Sequence, residues 1–170
     1  VVFTGAGTEA FSSGADISDF DSHRYASKSA RVYAKSFDGA LAAIEAIPQP
    51  TLCMIKGVCV GGGCELSLAA DIRIAADNGM FGIPAARLGI VIGYNEMHRL
   101  VNLVGIGNAN YLLMTGQMID TPEAVRMGLV SKMLPISEID QYVYAIASQI
   151  AALAPLSHRV HKSKIVTVKA

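Results

Sequence analysis

Three consecutive glycines, Gly61 to Gly63, constrain this chain more than any other feature of it. A β-prone run from Thr51 to Ile55 precedes them, and Cys64-Glu65-Leu66-Ser67-Leu68-Ala69-Ala70, an apolar stretch compatible with a helix, follows. Glycine loses more backbone freedom on folding than any other residue, so a triplet implies that something needs the bare main chain there. A helix opening at about Gly62 would leave its first N–H groups without partners, and its dipole would favour negative charge. Such a place suits an anion, or an oxygen that gains charge during a reaction. One turn further stands Glu65, the only charged residue between Lys56 and Asp71. Every other side chain from Gly62 to Ala70 except Ser67 is small or apolar, which predicts a helix buried on all sides. A carboxylate in that setting is poorly solvated, the condition that suits it to acid/base chemistry. The plainer alternative is a glycine turn packed under a helix, with Glu65 on the wet side.

The 170 residues are 52% hydrophobic and only 16% charged, which allows one domain with a large core or a buried interface. A formal net charge of zero gives no pull toward nucleic acid, and no apolar run reaches the roughly 20 residues of a membrane span. Cys53, Cys59 and Cys64 lie in apolar surroundings without a C-x-x-C pair, so they are expected as reduced thiols in a cytoplasmic protein. The chain opens inside a strand, with no initiator Met or signal peptide, and is expected to be part of a longer protein.

Val1 to Thr4 reads as a buried strand. Gly5-Ala6-Gly7-Thr8-Glu9-Ala10 matches the letters of a dinucleotide fingerprint, G-x-G-x-x-A, and with it a nicotinamide-dependent dehydrogenase. The loop-like Phe11 to Asp16 and the absence of any acid from residue 23 to 37 argue against it. A helix is expected over 22 to 47, capped by Asp21 or Ser22, with Tyr33, Phe37, Leu41 and Ile44 as its apolar stripe. Its basic first half (His23, Arg24, Lys28, Arg31, Lys35) reads as a solvated face, with weak phosphate steering as the alternative. Asp71 to Ala76 alternates like a half-buried strand, and Met80 to Ile83 suggests a short one ending at Pro84. Helices follow over 95 to 104, capped by Asn95 with Glu96 in the first turn, and over 108 to 114. Thr121 and Pro122 start another that Gly128 ends, and Leu129 to Leu134 reads as a strand. Ser137 is the expected cap of a helix whose stripe is Ile139, Val143, Ile146, Ile150 and Leu153. His158 and His161 alone do not make a metal site.

The motifs taken together resemble the crotonase (enoyl-CoA hydratase/isomerase) superfamily. The resemblance runs through Val1-Val2-Phe3-Thr4-Gly5-Ala6-Gly7, Phe11-Ser12-Ser13-Gly14-Ala15-Asp16-Ile17, Gly61-Gly62-Gly63-Cys64-Glu65-Leu66 and Ala70-Asp71-Ile72-Arg73-Ile74-Ala75. It continues in Phe81-Gly82-Ile83-Pro84, Leu88-Gly89, Leu113-Met114-Thr115-Gly116, Ala124 and Met127-Gly128-Leu129-Val130. It implies an α/β fold, a spiral of repeated β-β-α units, with residues 1–135 as the core and 136–170 as a C-terminal helical segment of the same fold. It also implies assembly as a homotrimer or dimer of trimers.

The implied substrate is an acyl thioester of coenzyme A, with no separate cofactor, metal or membrane partner, in fatty acid metabolism. The resemblance assigns the oxyanion hole to the backbone N–H groups of Ala15 and Gly62, and the acid/base role to Glu65. It places Ser13, Asp16, Ile17 and Gly61 along the substrate. Hydratases of this family carry a second glutamate after the proline of a Gln-Pro-Glu context; this chain reads Ile83-Pro84-Ala85. Tyr94 or Glu96, from the segment Gly93-Tyr94-Asn95-Glu96, is the candidate replacement as second proton handler, against the plainer role of Glu96 as a dipole partner at a helix start. Without one, a single-glutamate isomerase or decarboxylase, or a non-catalytic acyl-CoA-binding protein, is the alternative.

Overall fold

The computed structural model describes residues 1–16 and 27–169. Three times in succession the chain lays down two short strands and then a helix. The first unit is β1 (Val2–Thr4), β2 (Ala10–Ser12) and α1 (Ser27–Ala46). The second is β3 (Leu52–Ile55), β4 (Val58–Val60) and α2 (Gly62–Leu68). The third is β5 (Ile72–Ala76), β6 (Met80–Gly82), a 3-10 turn (Ala85–Leu88) and α3 (Tyr94–Thr115). Then come β7 (Ile119–Asp120), α4 (Thr121–Arg126), β8 (Lys132–Leu134), α5 (Ile139–Ala151) and α6 (Pro155–Lys169). The first strand of each unit enters one sheet, ordered β1-β3-β5-β8 and parallel throughout. The second strand enters another, ordered β2-β4-β6-β7, where β6 and β7 run antiparallel. Each unit therefore advances one strand in both sheets at once, and the chain winds as the expected β-β-α spiral.

Burial explains why these strands read as continuous apolar runs. Alternate residues of a strand face opposite sides of the sheet. From β3, Cys53 and Ile55 enter the main core with Cys59, Phe81, Leu100 and Leu129. Leu52 and Met54 face the other way and pack with Ile74, Ala76 and the α5 residues Ile139 and Val143. Both faces of the parallel sheet are covered, the usual condition for such sheets. This corrects the reading of β5 as half-buried: Arg73 to Ala76 are all buried. Arg73, only 4% exposed, is turned to structural use. Its Nε donates to the Leu129 carbonyl (2.9 Å) and its Nη1 to those of Ala70 (2.7 Å) and Ser67 (3.1 Å), satisfying the end of α2. The three cysteines are free and buried, and desolvation pushes the Cys53 thiol up to about 12.

Among the described residues, several helix boundaries depart from those expected. The start of α1, with Asp21, Ser22, His23 and Arg24, lies outside the described residues. The helices expected at 95 to 104 and 108 to 114 run on as α3, broken at Gly105, whose φ of 75° and ψ of 163° are not helical. Glu138 rather than Ser137 occupies the position before α5. Asp120, not Thr121, caps α4 by accepting from the Glu123 N–H (3.0 Å). Thr121 is fully buried, and its hydroxyl donates to the Ala76 carbonyl at 2.6 Å and approaches that of Gly79 at 3.2 Å. Thr121→Val keeps the shape but removes the hydroxyl donor, leaving the Ala76 carbonyl only the Gly79 N–H (3.1 Å) in this turn. It is expected to cost about 1 kcal/mol, read as a lower urea midpoint with unchanged slope. The strand expected from Leu129 is confined to Lys132–Leu134. Among the described residues, no helix is long and apolar enough to cross a membrane.

Candidate active site

Each of the three glycines has its own geometric task at the start of α2. Gly61 takes φ 54° and ψ −126°, and its N–H donates to the Gly82 carbonyl of β6 (2.8 Å). Gly63 lies against β2, where a Cβ would run into the Ser12 carbonyl and come within 2.6 Å of its Cβ. Gly62, the first helical residue, faces Ala15: a Cβ on it would lie 3.7 Å from the Ala15 nitrogen and 3.5 Å from Phe37 Cζ. The approach is set from the other side by Gly14, at φ 92°, where a Cβ would sit 3.0 Å from the Gly62 nitrogen and the Val60 carbonyl. β2 brings this loop into place beside β4, with an irregular register between Ala10 and Ser12. The Gly14 N–H then donates to Ser12 Oγ (3.2 Å).

Around this junction opens a cleft of about 790 Å³. Ser13, Gly14, Ala15, Gly61, Gly62 and Glu65 form one wall, and Ile83, Pro84 and Ala85 another. Leu88 and Ile90 to Ile92 supply a largely apolar stretch, and Tyr33, Phe37 and Asp38 enter from α1. Glu65 is 8% exposed on an otherwise apolar helix, as the sequence predicts, and its own N–H bonds back to the Gly61 carbonyl (3.0 Å). A buried carboxyl that lines a largely apolar cleft is poorly solvated, the condition that suits such a group to proton transfer.

The dinucleotide fingerprint fails here, because Gly5 to Glu9 lead into strand β2 instead of a phosphate-binding helix. A family model described as enoyl-CoA hydratase/isomerase matches residues 1–169. The chain belongs to the enoyl-CoA hydratase/isomerase family. The short-chain-enoyl-CoA hydratase of Clostridium acetobutylicum is 36% identical over 165 residues, which is 97% of this chain and 62% of that protein. The crotonyl-CoA hydratase of Syntrophomonas wolfei is 37% identical over 163 residues, 96% of this chain and 62% of that one. Among solved structures, an enoyl-CoA hydratase/carnithine racemase from Magnetospirillum magneticum superposes with a TM-score of 0.97 at 38% identity, covering 99% of this chain and 63% of that one. The chain thus spans about 62% of the length of the curated relatives it matches.

Within this member of the enoyl-CoA hydratase/isomerase family, the two expected stand-ins for the glutamate missing at Ala85 part company. Tyr94 is 82% exposed, stacks on His98 with ring centroids 6.4 Å apart, and does not line the cleft. Glu96 is 4% exposed and does line it. Burial first, and then the neighbouring Asp38 carboxyl, push Glu96 up from its ordinary value against the opposite pull of its own backbone N–H and Arg99. Asn95 is not the helix cap: Gly93 holds that position, and the Asn95 amide donates to Asp38 instead (3.2 and 3.1 Å). Asp16 is exposed and outside the cleft lining, while Ile17 lies outside the described residues. His158 Nε2 lies 3.2 Å from the Ile150 carbonyl, a packing contact between α5 and α6. Sequence reasoning missed Tyr33, Phe37 and Asp38 as site residues; it placed the two aromatics only on a core stripe and did not consider Asp38.

Proposed function

We propose that this chain carries the acyl-CoA-transforming site of an enzyme of enoyl-CoA hydratase/isomerase type. The observation that carries the reading is the convergence of the Ala15 and Gly62 backbone and the buried Glu65 carboxyl on one largely apolar cleft. The thioester carbonyl accepts from the Ala15 and Gly62 N–H groups, which hold the oxygen as the enolate forms. Gly62 is suited to this because the first N–H groups of a helix have no acceptor within it. Glu65 handles the proton, and the apolar wall from Leu88 to Ile92 takes the acyl chain. Ser13 and Gly61 run along the coenzyme A portion. The exposed apolar side chains Leu153, Leu156 and Ile165 on and between α5 and α6 suit the subunit contacts of a trimer or dimer of trimers, in the cytoplasm.

Ala85 favours a second reading, an acyl-CoA-binding protein that keeps the pocket without turnover, since the family's hydratases use a glutamate there. Incubating the full-length protein with crotonyl-CoA separates the two. Loss of the enoyl absorbance is the expected result. Saturable binding with intact absorbance for every acyl-CoA offered would establish the binder instead.

A further inference from the structure

The cleft contains an acidic pair that the family pattern does not supply. Glu96 stands in the first turn of α3 and shares the cleft with Glu65 and Ala85. Its carboxyl folds back over Gly93, where a Cβ would lie 3.1 Å from Glu96 Cδ and closer still to Oε2. Asp38, from α1, lines the same cleft and is tied to the start of α3 by Asn95, the residue before Glu96, whose amide donates to it at 3.2 and 3.1 Å. Its carboxyl, after burial, pushes Glu96 up from its ordinary value. Two carboxyls brought close together favour keeping a proton on one of them, because like charges repel. Glu96 is the more buried partner, and Asn95 gives its amide donors to both Asp38 oxygens, so the proton of the pair belongs with Glu96. The cation facing this pair is Arg99 on α3, whose Nη1 lies 3.8 Å from Glu96 Oε1. Its fork is committed to Glu45, at 2.9 and 2.8 Å. The charged groups acting on Glu96 are Asp38 and Arg99, with Glu45 beyond Arg99 and Glu65 lining the same cleft.

We propose that Glu96, with Asp38 as its positioning residue, is the second proton-handling group of this cleft, supplying from α3 what Ala85 does not supply from the 3-10 turn. The proposal rests on the acyl-CoA reading above. In hydration of a 2-enoyl thioester, Glu65 takes one proton from water as the water oxygen bonds to the β-carbon. The electron pair of the carbon–carbon double bond moves onto the thioester oxygen, giving the enolate. The enolate collapses as its α-carbon takes the proton from Glu96, which is left ionised beside Asp38. Repulsion between the two carboxylates drives Glu96 to recover a proton from solvent, while Glu65 releases its own, and both groups are reset.

The test uses the full-length protein with crotonyl-CoA. Glu96→Gln keeps the size and hydrogen-bonding shape of the side chain, and is expected to lower kcat about 10²-fold with KM little changed. Gly93→Ala is expected to lower kcat as well, because the added methyl displaces the Glu96 carboxyl without removing it. Asp38→Asn is expected to move the alkaline limb of the kcat–pH profile to lower pH. The sign follows from charge: Asp38 holds the proton on Glu96 to higher pH, and without it Glu96 ionises sooner. Glu96→Gln with undiminished kcat, or an alkaline limb unmoved in Asp38→Asn, would overturn the proposal. If Glu65→Gln is inactive while Glu96→Gln is fully active, the role of Glu96 falls and the acyl-CoA reading stands. A wild-type protein that turns over no acyl-CoA discards both.

Discussion

Glu65→Gln is expected to lower kcat for crotonyl-CoA hydration by about 10²–10⁴-fold, the range for losing a positioned general acid/base. Gln matches Glu in size and still accepts and donates hydrogen bonds, so the cleft keeps its shape. The helix that carries it stays packed, since Gly63, Cys64, Ser67 and Leu68 hold α2 in the core independently of the carboxyl. KM is expected to change far less than kcat, because the Ala15 and Gly62 N–H groups and the apolar wall are untouched. Steady-state kinetics with a thermal melt of the same sample make the comparison. Turnover equal to wild type for every acyl-CoA tested would remove Glu65 from the chemistry. A collapsed melting temperature would instead reveal a structural carboxylate, contrary to the reading of its place in the cleft.

What could be read from the sequence was the part encoded locally. The first strands of the units were legible as apolar runs because their sheet is covered on both faces. By contrast β2 and β4, three residues each beside glycines, carry too little periodicity to be read, so the spiral came from the resemblance. The site centre was legible too: a glycine triplet and an isolated Glu65 on an apolar helix are chemically conspicuous. The errors come from contacts distant in sequence. Thr121 is a sound helix cap by local rules, yet its hydroxyl is needed 45 residues back at Ala76, so the task passes to Asp120. Asn95 likewise gives up a capping role to reach Asp38, 57 residues away. Arg73 looks like the polar member of an alternating strand until the carbonyls of Leu129, Ser67 and Ala70 are assembled around it. Asp38 carries no local signal because its meaning depends on where α1 meets the first turn of α3. Glu96 and Tyr94 are nearly adjacent in sequence but divide between cleft and solvent according to helix phase.

Gly63→Ala is expected to be the most damaging single methyl addition near the site, costing about 3 kcal/mol, the upper end of the overpacking range. Its φ is unremarkable, so the argument is purely one of space. The new Cβ would meet the Ser12 carbonyl, with Ser12 Cβ at 2.6 Å and Oγ at 2.7 Å. A backbone carbonyl in a paired strand cannot swing aside like the tip of a long side chain, so α2 and β2 must separate. Ser12 leads directly into Ser13-Gly14-Ala15, and Gly63 follows Gly62, so that separation pulls the two facing N–H groups apart. Stability and activity are thus expected to fall together, with the melting temperature down by roughly 6–12 °C for a chain of this size. Gly39→Ala provides the contrast. Nothing lies within 4 Å of a Cβ there, and the residue is in the interior of α1, so the same methyl is expected to stabilise by about 0.5–1 kcal/mol. Equal melting temperatures for the two variants would mean that α2 is not seated on β2 as closely as the glycine triplet implies.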